Sequence, residues 1–221
     1  MERERTTIFG YGSLMSIESC RLTCPGLTNY RQGRLLGYRR LFNLVGMPLI
    51  ERGLVDPDAR ELAFCSVVPE PAARVHGVLF DVDARDRDRF LARADRLKVR
   101  PLVCHELAGG AEVEALVCTA YTDAQYLAER FGGDRARYDQ EVGAHYRGSL
   151  WHRHDILPAT AYLELCLQEA RALGPACLEN LLDASLLADR TTSVRAYIEG
   201  RPALFRSDSA AQLDPDTLAD L

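Results

Sequence analysis

The chain has 221 residues, 47% of them hydrophobic and 27% charged, with a formal net charge of -5. That length suits a single domain with a substantial core of its own. The acidic balance, with no basic stripe interleaved with aromatics, argues against a nucleic-acid partner. No segment approaches the roughly 20 apolar residues of a membrane helix.

The opening MERERTT is charged and leads into no apolar run of signal-peptide length, so the expected location is the cytoplasm, with no membrane partner. The cysteines fit that compartment. Cys20, Cys24, Cys65, Cys104, Cys118, Cys166 and Cys177 are odd in number and scattered, and most sit in apolar patterns such as AFCSVV and LELCLQ. They read as buried, reduced thiols. Cys20 and Cys24 have no second pair to complete a zinc site.

In chain order, TTIFGYG (6–12) reads as a short strand and SIESCRLTC (16–24) as a helix capped by Ser16 and ended by Pro25-Gly26. GRLLGYRRLFNLV (33–45) reads as one or two strands. LAFCSVVPE (62–70) and VHGVLFDVD (75–83) read as two strands separated by a proline-alanine turn. ARDRDRFLARADRL (84–97) has helical spacing and an exposed charged face. VRPLVCHEL (99–107) and EVEALVCTAY (112–121) follow as strands around Gly109-Gly110, and the second alternates with period two, a half-buried face. Beyond residue 123 the spacing turns helical, in DAQYLAERF, DRARYDQEVGAHY, TAYLELCLQEARAL and ACLENLLDASLLAD. This gives a strand-rich module over 1–122, helices over 123–200 packed on it, and an irregular tail over 201–221.

The stretch with most chemistry in it is IFGYGSLM (8–15). Gly12 lets the backbone bend and approach a ligand closely. Consecutive N–H groups leaving a strand form a concavity that suits an anion. Tyr11 and Ser13 add hydroxyls, and Leu14 closes the tetrapeptide. An ordinary strand-to-helix turn is the plainer reading of these four residues taken alone. Ser13 does not sit in a G-x-S-x-G elbow, since Met15 stands where the second glycine would be.

FGYGSL after a first strand resembles the signature of the gamma-glutamylcyclotransferase-like superfamily. LLGYRRLFNL (35–44) and ELAFCSVVPEPAARVHGVLFDVD (61–83) resemble the segments that follow it there, so the likeness covers roughly the first 120 residues. The helical part resembles the extension of longer members. The resemblance implies an α+β fold, a small mixed β-barrel with flanking helices and a ligand cavity at its mouth, here with C-terminal helices added. It implies a reaction in which the α-amine of a γ-glutamyl compound attacks its own γ-carbonyl, releasing 5-oxoproline and an amine, with no cofactor and no metal. Tyr11, Gly12, Ser13 and Leu14 would hold the glutamyl end, and one carboxylate would move the proton.

The family's shuttle is a glutamate three residues after an aspartate, with a tyrosine soon after. Here the aspartate matches at Asp95, but the glutamate position falls on Lys98 and the tyrosine position on Pro101, and positions 96–105 contain no carboxylate. Lys98 reads as a base, as a group for a ligand carboxylate, or as a solvated lysine at a helix end. Asp95 and Glu106 are the carboxylates that would substitute; as plain surface residues they need no function.

Trp151-His152-Arg153-His154-Asp155 is the densest polar cluster. With His145 it offers a metal set, although short His-rich loops are more often surface loops. Arg100 and Arg153 are cations for a substrate carboxylate. Three functions remain open: a family-type enzyme with its acid/base moved, the same fold running other chemistry through Lys98, and a non-catalytic module binding a small γ-glutamyl or amino-acid-like ligand. A homodimer is compatible with all three.

Overall fold

A computed structural model describes residues 5–202 of the chain; residues 203–221, where most of the expected irregular tail falls, lie outside the described residues. β1 (Thr6–Gly10) runs into the core, with Ile8 and Phe9 almost fully buried. A short 3-10 turn (Ser13–Met15) and α1 (Ile17–Thr23) follow. Ser16 caps α1 as its sequence position predicts, its hydroxyl accepting from the Ser19 N–H at 3.3 Å.

Two long strands dominate. β2 (Thr28–Val45) and β3 (Glu61–Val82) pair antiparallel along most of their length, joined through α2 (Met47–Glu51). The turn expected between 70 and 75 is absent: β3 is one continuous strand. Leu36 faces Arg74 and Tyr38 faces Pro69, so residues 70–73 stand opposite Gly37 alone. The ladder absorbs the excess as an irregularity, because Pro71 has no N–H to give it and Gly37 adopts φ +75°.

α3 (Ala84–Arg93) begins on the Asp83 cap, whose carboxylate accepts from the Asp86 N–H, and stops short of the predicted residue 97. β4 (Lys98–Glu106) and β5 (Glu112–Thr119) form a hairpin. The strands run β3-β1-β5-β4-β2, and β2 pairs back onto β3, which closes a five-stranded barrel. β1 and β5 are parallel, with Ile8 opposite Leu116; the other barrel pairs are antiparallel. The expected α+β mixed barrel with flanking helices is therefore present.

The later part of the chain holds α4 (Asp123–Phe131), α5 (Arg135–Glu141), α6 (Thr160–Ala172), α7 (Pro175–Ala184) and α8 (Val194–Glu199). It also contributes two strands that helical periodicity did not suggest, β6 (Leu157–Pro158) along β3 and β7 (Leu186–Leu187) along β2. Tyr162, Leu163 and Cys166 of α6 share one core with Phe42 and Phe64 of the barrel. Side chains tie helices and strands together: Asn180 of α7 accepts from the His76 N–H of β3 at 2.8 Å, and Gln32 of β2 donates to the Leu173 carbonyl at the end of α6 at 2.7 Å. No helix among the described residues is long and apolar enough to cross a membrane.

All seven cysteines are free and buried. Burial pushes the Cys24, Cys104 and Cys118 thiols up to about 12, since a thiolate there would lose its hydration. Gly77 has the tightest surroundings: a Cβ on it would lie 2.1 Å from the Gly10 carbonyl oxygen. Two outcomes follow. In the native state at pH 8, Ellman's reagent should react far more slowly than in denaturant, where seven thiols should titrate. Gly77→Ala should cost at least about 1–3 kcal/mol in urea unfolding, because backbone must move to admit the methyl group.

Candidate functional site

β1 delivers the Tyr11-Gly12-Ser13-Leu14 loop to the mouth of the barrel, where it forms one wall of a cleft. The cleft has an empty volume of about 680 Å³, its open mouth included. Phe64 and Cys65 of β3, Leu44 and Val45 of β2, and Tyr162 of α6 line the side formed by the long strands and α6. The end of α3 and the turn after it, residues 93–97, supply another wall.

The loop is shaped by its neighbours. The Tyr11 hydroxyl donates to the Cys118 carbonyl at 2.6 Å, which pins the loop to β5 and occupies the phenol in a structural bond. Burial raises the Tyr11 pKa and keeps it protonated. Gly12 is required sterically: a Cβ there would lie 2.4 Å from the Tyr162 hydroxyl and 2.9 Å from Cys65 Sγ. Those two groups are themselves bonded, Sγ to hydroxyl, at 3.1 Å. Ser13 opens the 3-10 turn, and the first N–H groups of such a turn have no acceptor within it. Gly12, Ser13 and Leu14 all border the cleft.

Beneath the loop sits a cation that sequence reading had placed on an exposed helix face. The Arg93 guanidinium donates to Thr23 Oγ1 at 2.5 Å, Ser19 Oγ at 3.3 Å and Ser13 Oγ at 3.3 Å. Burial lowers its pKa from the usual arginine value. Its spacing was a usable signal. Asp86, Phe90 and Arg93 are four and three residues apart, a single stripe on α3, and Asp86 and Phe90 are buried. Asp86 accepts from the Gly26 N–H at 2.8 Å, so this face of α3 carries polar side chains that hold α1 and the start of β2.

Asp95 borders the cleft and is the one carboxylate that does so among the described residues. Arg96 lies beside it, with Nη1 3.3 Å from Asp95 Oδ1 and Nη2 2.6 Å from Glu51 Oε1. Arg96 Nε is buried and has no acceptor in the protein.

Lys98 and Glu106 are not brought to this cleft. Lys98, the first residue of β4, pairs with Glu129 of α4, and its ammonium lies 5.7 Å from the Tyr121 ring centroid. Strand alternation separates it from Leu97, which lines the cleft, and sends it to the other side of the β4–β5 hairpin. Glu106 sits at the far end of the same strand, bonded to Arg31 at 2.5 Å. Arg100 is also outside the cleft, and Arg153 binds Asp155 at 2.7 Å. The histidine cluster does not assemble: His152 Nδ1 faces Asp123 at 3.0 Å, while His154 Nδ1 faces the Ala188 carbonyl at 3.1 Å. No metal-holding group of side chains occurs among the described residues.

Against known proteins, no family model and no curated sequence matches the chain. Solved structures do. A gamma-glutamyl cyclotransferase aligns over 92% of this chain and 100% of its own, at 15% identity and TM-score 0.54. A glutathione-specific gamma-glutamyl cyclotransferase from yeast aligns over 82% of this chain and 97% of its own, at 13% identity and TM-score 0.46. An uncharacterized protein from Homo sapiens aligns over 66% of this chain and 90% of its own, at 14% identity and TM-score 0.43. The first of these carries the fold: this chain has the architecture of a gamma-glutamyl cyclotransferase.

Gly12→Ala should destabilise the chain by about 1–3 kcal/mol, because Tyr162 or the loop must yield. Urea unfolding measures the cost. Since the loop and the Tyr162 ring both line the cleft, displacement of either should lose ligand binding there even at temperatures where the variant stays folded.

Proposed function

We propose that the cleft binds a γ-glutamyl or amino-acid-like ligand by its carboxylate and, when that ligand is a γ-glutamyl amine, releases 5-oxoproline. The observation that carries this reading is the presence of Asp95 in the same cleft as the Tyr11–Leu14 loop. The loop N–H groups and the positive charge of Arg93 below them favour a bound carboxylate. Asp95 would take a proton from the ligand's ammonium. The freed amine attacks the γ-carbonyl; Asp95 returns that proton to the departing nitrogen as its bond to the γ-carbon breaks, then carries the second proton of the attacking nitrogen to it, so that the lactam keeps one N–H and the amine leaves as an ammonium. Proton count and charge balance without a cofactor. Holding amine and carbonyl in one pocket supplies much of the acceleration, since ring closure is intramolecular.

A second reading is favoured by the arginines. At this wall Arg93 and Arg96 outnumber the single carboxylate, and Arg96 already engages Asp95. A cleft of that character binds an acidic ligand well without moving its protons. The site would then serve capture, not turnover.

The deciding experiment incubates the full chain with γ-glutamyl amines, γ-glutamyl amino acids and glutathione, and follows 5-oxoproline by mass spectrometry. Turnover should fall about 10²–10⁴-fold in Asp95→Asn, the usual contribution of one proton-transfer group. Lys98→Ala and Glu106→Gln should retain wild-type turnover. Saturable binding of the same ligands with no 5-oxoproline formed would favour the capture reading. Turnover insensitive to Asp95→Asn would remove Asp95 from the mechanism.

A further inference from the structure

A second pocket lies on the side of the β4–β5 hairpin to which Lys98 was sent. It shares no lining residue with the first cleft, although the two are neighbours in sequence: Leu97 and Cys118 line the first, Lys98 and Thr119 the second. Its empty volume is about 750 Å³, its mouth included.

The charge of its wall is one-sided. Lys98, Arg100 and Arg190 line it, and no acidic side chain does so among the described residues. Lys98 is balanced by Glu129. Arg100 and Arg190 are exposed and have no carboxylate partner among the described residues, which leaves two uncompensated guanidinium groups at the mouth. In a chain of net charge -5, a cationic pocket is a local feature and not a reflection of bulk composition.

Arg190 is also held in place at a cost. Its φ of +62° lies in the left-handed region, which is strained for a non-glycine residue. The turn that imposes it is well bonded: Asp189 Oδ1 accepts from the N–H groups of Thr191 and Thr192 at 2.9 Å each.

The remaining wall is aromatic. Tyr38, Tyr121 and Trp151 line the pocket, and the Tyr121 and Trp151 rings meet edge-on with centroids 5.8 Å apart. Trp151 is 2% exposed, and its indole N–H is buried without an acceptor in the protein. Buried donors of that kind are uncommon in folded chains.

The geometry points to an accessory binding site here for a small phosphate-bearing anion with a planar group, of the nucleoside phosphate class. Two forked guanidinium groups suit a phosphate, which accepts bidentate pairs. Of the three aromatic rings in the wall, Tyr38 is the partly exposed one, and it offers its face to a base. The site is independent of the reading given to the first cleft, since Arg100 and Arg190 take no part in it.

The chain has one tryptophan, and it lies in this wall, so its fluorescence reports on this pocket and not on the other. The experiment excites the full chain at a wavelength selective for tryptophan and titrates ADP, then inorganic pyrophosphate, then a γ-glutamyl amino acid. ADP should change the emission saturably at sub-millimolar concentration. Pyrophosphate should bind at least about tenfold more weakly, since it lacks the ring, and the γ-glutamyl compound should leave the signal unchanged. Arg100→Glu and Arg190→Glu, both surface changes, should each raise the apparent Kd for ADP at least tenfold while leaving the unfolding midpoint in place. An unsaturated, linear response to ADP would overturn the site. So would a saturable response that both variants retain, or an affinity for pyrophosphate equal to that for ADP.

Discussion

The approach of β3 to the end of β1 is the constraint on which the rest of the molecule depends. Gly77 admits the Gly10 carbonyl to a distance no side chain would allow, and Gly10 pairs with Val78 in the same ladder. The residue after Gly10 is Tyr11. Closing the barrel therefore also fixes the start of the loop that walls the cleft. From there the positions are handed on by contact: Tyr11 to the β5 carbonyl, Gly12 to Tyr162 of α6, Ser13 to Arg93 of α3. One loop is thus referenced to three separate elements, which is how a short glycine-containing segment acquires a single conformation.

A buried arginine, Arg40, and a half-buried one, Arg93, give the interior an unusual electrostatic character. Arg40 is 1% exposed and bonds only neutral oxygen atoms, the Ser185 hydroxyl at 3.1 Å and the His76 carbonyl at 2.6 Å. It joins β2 to β3 and to the segment between α7 and β7. Arg93 does the corresponding work between α1, α3 and the loop. Removing one such partner strands a charge in low dielectric, so these hydrogen-bonded cations specify geometry more than they add stability. Their positive potential reaches the cleft from below, where it opposes a ligand cation and favours a ligand anion.

Strand identity was legible wherever an apolar run had a clear period, as in Glu112–Thr119, and the cap at Ser16 was legible from chemistry alone. The proline-alanine stretch misled for a physical reason. Pro71 breaks ladder bonding, but it ends a strand only if the chain also reverses, and here Gly37 across the ladder takes up the irregularity instead. The short strands β6 and β7 had no periodicity to show, being two residues each and ordered by their neighbours. At the site, the loop was singled out by its likeness to a family signature after a first strand, since glycine and small polar residues there fit an ordinary turn just as well. The turn after α3 was not. Which of residues 95–98 faces the cleft depends on where the helix stops, and a shift of one residue exchanges Leu97 for Lys98. Arg93 was missed because charge on a helix was equated with exposure, although its stripe with Phe90 pointed inward.

The parallel pairing of β1 with β5 has a consequence for biosynthesis. Ile8 rests beside Leu116, so the first strand to leave the ribosome pairs with β3 along one edge but lacks its second neighbour until more than a hundred residues have followed it. The β2–β3 pairing, by contrast, is complete once Val82 has emerged. Contacts so distant in sequence form late, after the entropy of closing a long loop has been met. The nascent chain thus carries one edge of β1 unmatched until β5 emerges, even after β3 has paired with the other. The Tyr11–Leu14 loop is translated near the start and shaped near the end, so a truncated product that lacks β5 would expose that edge and have no organised cleft.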